Sequence, residues 1–199
     1  MKILILHGYD QSLERIMKTT SNLKKLLVKE YNAQIFYCEA PNDATSNNAT
    51  DFSTDQSFGK AWFTSDNNDF FTTTHYQNLD QSLEKLNKFI STYGPFDTLI
   101  GFSQGAVMAM ILLQLYQFKF AIIISSYAVT DIKYNDYTQI KAPTLHIWGA
   151  NDSVILPEQS VENYKKCHLA EYYIHQGKHV VPSTSQFKTA LRSFIDKYK

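Results

Sequence analysis

An α/β fold, with a mostly parallel central sheet of about six strands between two layers of helices, is what the order of residues predicts. Three observations carry this. Short β-rich runs alternate with helical periods from one end of the 199-residue chain to the other, the pattern of parallel strands joined by crossover helices. Several of those runs, such as Phe120–Ser125 (FAIIIS), are apolar without a break, as strands covered on both faces are. The length favours one domain, 1–199, and with 44% hydrophobic and 19% charged residues the chain can bury a single sizeable core.

The elements follow in order. Lys2–His7 (KILILH) is the first strand and leaves through Gly8 into a polar turn; Leu13–Glu30 has a helical period. Ala33–Cys38 is the second strand. A helix over Tyr76–Thr92 leads to a third strand, Asp97–Phe102, and Gln104–Gln117 is a helix that is apolar nearly all round, so it is expected to be buried. Phe120–Ser125, Pro143–Trp148 (PTLHIW) and Glu171–His175 (EYYIH) complete the strands. Pro157–Lys166 and Ser185–Tyr198 complete the helices.

One stretch breaks the alternation. Residues 41–74 are rich in Asn, Thr, Ser and Asp, yet carry Phe52, Phe58, Trp62, Phe63, Phe70 and Phe71. So long an excursion in a compact domain is usually functional or disordered. The density of aromatic residues predicts a lid or pocket wall, with Trp62 and Phe63 as candidate substrate-pocket residues.

Charge and cysteine usage exclude some classes of function. Nineteen basic and nineteen acidic residues leave a formal net charge of zero, which offers no electrostatic attraction to nucleic acid or an anionic membrane. No run is long and apolar enough to span a bilayer, and the apolar stretch Ile3–Leu6 is too short for a signal peptide. The expected location is the cytoplasm. Cys38 and Cys167 form neither a metal-ligand spacing nor a disulfide framework. No zinc spacing is evident among the histidines, and neither a metal nor a cofactor is expected.

The chemistry centres on GPFDTLIGFSQGAVMA. Gly101-Phe102-Ser103-Gln104-Gly105 matches the nucleophile elbow G-x-S-x-G. Such a pattern recurs by chance in ordinary chains, but here it stands where an apolar strand turns into an apolar helix. In an open α/β sheet, ligands bind beyond the carboxyl ends of the strands, and Ser103 stands at one. A serine hydroxyl is a weak nucleophile and needs a general base oriented by a third group. In hydrolases of this architecture the order is Ser, then Asp or Glu, then His. Asp152 follows the strand Pro143–Trp148 through Gly149, and His179 follows Glu171–His175 through Gly177, so both occupy later strand ends. Asp131 is the competing acid and His175 the competing base; His7 and His146 belong to strands and suit core or supporting roles. The N–H of Gln104, which opens a helix, and that of Tyr9, in the loop after the first strand, are the expected oxyanion donors.

ILILHGYDQS, GKAWF, GPFDTLIGFSQGAVMA, LHIWGANDSV and HQGKHVVP together resemble the FSH family of serine hydrolases, in order, from residue 3 to residue 182. The resemblance implies a three-layer α/β-hydrolase fold and cofactor-free cleavage of carboxylic esters or thioesters of acyl chains. By position it implies Ser103, Asp152 and His179 as a triad, with Tyr9 and Gln104 as oxyanion donors. One departure is Lys178 in GKH, where the family usually has a second glycine. The alternatives are an acyl-protein thioesterase or peptidase-like hydrolase on the same fold, a non-catalytic binding protein that keeps the fold, and a nucleotide-binding module. The last lacks G-x-G-x-x-G and the P-loop lysine.

Overall fold

The computed structural model describes residues 1–44, 59–66 and 69–199. In chain order the elements are β1 (Lys2–Leu6), α1 (Leu13–Thr19), α2 (Ser21–Tyr31), β2 (Gln34–Cys38), β3 (Asn42–Asp43), β4 (Lys60–Ala61), α3 (Leu79–Tyr93), β5 (Thr98–Phe102), α4 (Gln104–Leu115), β6 (Phe120–Ile124), β7 (Thr144–Gly149), α5 (Pro157–Lys165), β8 (Ala170–His175) and α6 (Ser185–Tyr198). Six strands form one sheet in the order β2-β1-β5-β6-β7-β8, and every neighbouring pair is parallel. The α/β fold with six parallel strands is therefore the one the alternation predicts. β3 and β4 form a separate antiparallel pair.

Side chains alternate across the strands, and this builds a core on each face of the sheet. Leu4, Leu6 and Leu99 point towards α3 and α4. Ile3, Ile5 and Ile100 point the other way, towards Ile16 of α1, Leu23, Leu26 and Leu27 of α2 and Phe187, Leu191, Phe194 and Ile195 of α6. β5 and β6 are buried at every position, which explains their unbroken apolar sequences. Residues 104–113 of α4 are all buried as well. These elements flank the turn that carries Ser103, so that turn rests on fully buried structure.

Two boundaries differ from the sequence expectation. Leu13–Glu30 is two helices rather than one, divided at Thr20. Its hydroxyl donates to the Ile16 carbonyl at 2.7 Å and lies 3.0 Å from the Tyr37 hydroxyl; such back-bonding loosens a helix. The third helix begins at Leu79, not Tyr76, because Gln77 exchanges backbone hydrogen bonds with Thr64 at 2.8 and 2.9 Å and Asn78 turns left-handed at φ 60°.

Residues 59–66 cross the face of the molecule as a strap. Lys60 and Gln11 exchange backbone bonds at one end, and Thr64 and Gln77 at the other. Of the aromatics expected in a lid, Phe52 and Phe58 lie outside the described residues. Cys38 and Cys167 are free, and burial pushes both thiols up to about 11. No helix among the described residues is long and apolar enough to cross a membrane.

Candidate active site

Ser103 occupies the turn between β5 and α4 with φ 55° and ψ −123°, a conformation that costs a non-glycine residue roughly 1–3 kcal/mol. The turn is over-determined. The Ser103 N–H donates to the Ile124 carbonyl at 2.9 Å, and the Ser103 carbonyl accepts from Ala106 and Val107 at 2.9 and 3.2 Å. The flanking glycines are required by contact. A Cβ at Gly101 would stand 2.4 Å from the Ala106 Cα, and one at Gly105 would stand 2.3 Å from the His7 carbonyl oxygen. The glycines thus let α4 close onto β5 and β1, and the serine is forced out of the turn with 9% of its surface exposed.

Asp152 and His179 meet. The His179 Nδ1 lies 2.8 Å from Oδ2 of Asp152, so Nδ1 is the donor to the carboxylate and Nε2 is the ring nitrogen it leaves unengaged. The other carboxylate oxygen, Oδ1, accepts the N–H groups of Val154 and Ile155 at 2.9 and 3.0 Å. Three donors fix a carboxylate that is itself buried, and this orientation makes it a rigid support for the imidazole. The turns bearing the two residues are tied together: Ala150 N–H donates to the His175 carbonyl at 2.7 Å, Asn151 N–H to the Gly177 carbonyl at 3.2 Å, and the Asn151 amide to the Gln176 carbonyl at 2.8 Å.

The elbow is bordered on two sides. The His179 ring lies 4.9 Å, centroid to centroid, from the ring of Phe102, the residue before Ser103. On the other side a Cβ at Gly8 would be 3.1 Å from the Ser103 Cβ, which brings the loop containing Tyr9 against the elbow. Gln104 is the first residue of α4, so its N–H is at the positive end of a helix. No hydrogen bond joins Ser103 to His179, and a general base often comes within hydrogen-bond reach of its nucleophile only when substrate is bound.

The rivals have other work. Asp131 accepts the N–H groups of Tyr76 and Lys133 at 2.8 and 2.9 Å and lies 3.6 Å from His75, so it fastens the loop after β6 to the segment before α3. His175 uses Nδ1 to accept the Gly177 N–H at 3.1 Å and is buried, which lowers its pKa against the opposing pull of Asp152. His146 lies inside β7, where burial lowers its pKa to about 3.

Trp62 and Phe63, the candidate substrate-pocket residues, are packed into the interior. Both have no exposed surface. Trp62 donates its indole N–H to the His7 carbonyl at 2.8 Å, and Phe63 stacks on Tyr76 with ring centroids 4.0 Å apart. The density of aromatics marks the segment but not the direction in which each ring points. Among the described residues of this segment, Phe71, Thr72 and Thr74 line a cleft of about 280 Å³ together with Tyr127, Gln159 and Lys166. A larger cleft of about 490 Å³, at Leu113–Lys119 and Lys141–Pro143, lies at the opposite ends of the strands. In the sequence, Gln104 is a candidate only through its backbone N–H, and its side chain carries no expectation. The available signal is a carboxamide ahead of nine apolar residues at the start of a helix, which must find partners when buried. No group of three or more His, Cys, Asp or Glu among the described residues could hold a metal ion.

The family model described as "Serine hydrolase (FSH1)" matches residues 1–191. The chain belongs to that family. Among individual proteins, this hydrolase is similar to Esterase C25G4.2 of Caenorhabditis elegans, at 30% identity over 98% of this chain and 92% of that protein. It is also similar to Esterase OVCA2 of Danio rerio, at 25% identity over 100% and 98%. A Schizosaccharomyces pombe protein named dihydrofolate reductase is 29% identical over 98% of this chain, which spans only 47% of that protein's length. Among solved structures, esterase PE8 superposes with a TM-score of 0.71 at 19% identity, covering 100% of this chain and 92% of that one. Zea mays acyl-protein thioesterase 2 does so at 0.67 and 14%, covering 99% and 93%. At these identities the structural likeness establishes the α/β-hydrolase fold.

Proposed function

We propose that this serine hydrolase is an esterase or thioesterase acting on acyl chains, with Ser103 as nucleophile, His179 as general base and Asp152 as the group that orients it. The observation that carries the reading is the pairing of a strained, turn-borne serine with an Asp152–His179 contact of 2.8 Å. In the reaction, His179 Nε2 takes the Ser103 proton as the oxygen attacks the acyl carbonyl, and the tetrahedral oxyanion is held by the N–H groups of Tyr9 and Gln104. Collapse expels the alcohol or thiol, which receives the proton from His179. A water deprotonated by the same nitrogen then releases the acid from the acyl-enzyme.

The esterase names of the C. elegans and D. rerio relatives support an ester substrate. The likeness to the maize acyl-protein thioesterase keeps thioesters in the same class. The cleft at Phe71 and Tyr127 is the proposed seat of the substrate's non-reacting end, which moves the expected pocket wall from Trp62 and Phe63 to Phe71. A binding protein that merely kept the fold would have no use for backbone strain at Ser103, so the strain favours catalysis.

Hydrolysis of p-nitrophenyl esters and acyl-CoA thioesters of graded chain length tests the reading. Ser103→Ala and Asp152→Asn should each lower kcat on the order of 10⁴-fold. Undiminished turnover in Ser103→Ala would refute the assignment.

A further inference from the structure

The Gly8 carbonyl and the Tyr9 N–H belong to one planar peptide unit and point in opposite directions. Whatever holds the oxygen therefore sets the aim of the N–H. The Gly8 oxygen lies 2.7 Å from Nδ1 of His7, and since a carbonyl can only accept, Nδ1 carries the proton. Nε2 of the same ring accepts the Ala40 N–H at 2.9 Å. The imidazole is thus neutral and held in one tautomer from both ends, with no exposed surface. Burial lowers its pKa, which preserves that state.

The second oxyanion donor is connected to the same loop. The Gln104 side chain accepts the Trp62 N–H through Oε1 at 2.8 Å and donates through Nε2 to the Phe63 carbonyl at 2.7 Å. Trp62 in turn donates its indole N–H to the His7 carbonyl at 2.8 Å, and its own carbonyl is held by the Ser82 hydroxyl and the Asn42 amide. The path therefore runs from the first residue of α4, through Trp62, to the His7 backbone, and from the His7 ring to the Gly8–Tyr9 peptide.

Resting on the reading of Ser103 as nucleophile, we propose that His7, Trp62 and the Gln104 carboxamide form a brace that aims the two oxyanion donors, Tyr9 and Gln104. They are positioning residues. Their effect falls on the transition state, where the negative oxygen develops, and not on the affinity for substrate.

The test measures kcat and KM for a short-chain p-nitrophenyl ester in wild type, His7→Gln, His7→Asn, Trp62→Phe and Ser103→Ala. It also measures inhibition by an alkyl trifluoromethyl ketone, whose hemiketal oxygen takes the oxyanion position. Asn places an amide N–H near the position of Nδ1, whereas Gln reaches only towards that of Nε2. His7→Gln should lose about 10- to 100-fold in kcat with KM nearly unchanged, and should bind the ketone more weakly by a similar factor. His7→Asn should recover most of the loss, and Trp62→Phe should fall between. Wild-type kcat in His7→Gln, with Ser103→Ala inactive, would overturn the brace and leave the nucleophile standing. Full activity in Ser103→Ala would instead overturn the reading beneath it. If His7→Gln does not fold, ¹⁵N spectra of the wild-type imidazole decide. A neutral Nδ1–H tautomer for His7 supports the brace, and an Nε2–H tautomer or a charged ring at pH 7 overturns it.

Discussion

Ser103 is both the proposed nucleophile and a residue held in a strained backbone conformation. Its φ of 55° is comfortable for glycine and costly for a residue with a Cβ. Ser103→Gly should therefore be more stable to urea than Ser103→Ala by about 1–2 kcal/mol, although both lack the nucleophile. Equal stability would mean the elbow carries no strain. The sequence points to Ser103, Asp152 and His179 through the elbow motif, the order Ser–Asp–His and their place at the carboxyl ends of strands, where this fold puts ligands. The roles of Trp62 and the Gln104 side chain were not legible in the same way. A tryptophan in a polar segment and a glutamine at a helix start reveal their partners only when residues 7, 62 and 104 are brought together, and they are far apart in the chain.

At the scale of elements, the site depends on how closely α4 approaches β1. A Cβ at Gly105 would stand 2.3 Å from the His7 carbonyl and 2.4 Å from that of Leu6, and backbone atoms of a central strand cannot yield cheaply. Gly105→Ala should lower stability by about 2–4 kcal/mol and reduce kcat by pushing the elbow away from the Gly8 loop. Urea unfolding and kinetics of the same variant check this; wild-type stability would show that the helix can retreat without loss. The strands themselves were easy to read, since β5 and β6 are buried on both faces and are apolar at almost every position. Helix boundaries were not. At the break, the Thr20 hydroxyl that back-bonds to Ile16 also meets the Tyr37 hydroxyl of β2, and the late start of α3 accompanies pairing between Gln77 and Thr64. The partners Tyr37 and Thr64 are distant in sequence and leave no local signal.

Across the whole molecule, three buried histidines link stability to pH. Burial lowers the pKa of His7, His146 and His175, His146 from 6.5 to about 3. The unfolded chain therefore binds more protons than the folded one below pH 6.5, and stability must fall as pH falls through that window. For His146 every pH unit between the two values costs about 1.4 kcal/mol. Urea midpoints should be level above pH 7 and decline between pH 6.5 and 5, before most carboxylates titrate, and His146→Gln should flatten the decline. A wild-type midpoint unchanged from pH 7 to pH 5 would show that these rings already carry protons in the fold. None of the three is the proposed base, so this loss of stability is separable from the titration of activity.

The most direct test of the central claim is mass-spectrometric mapping of the adduct formed when folded protein meets a fluorophosphonate. We expect a single phosphonylated peptide, carrying the modification on Ser103. It should be absent from heat-denatured protein and from Ser103→Ala, and formed far more slowly by Asp152→Asn. An adduct on another residue, or none on well-folded wild type, would contradict the account of Ser103 as a nucleophile activated by His179 and Asp152.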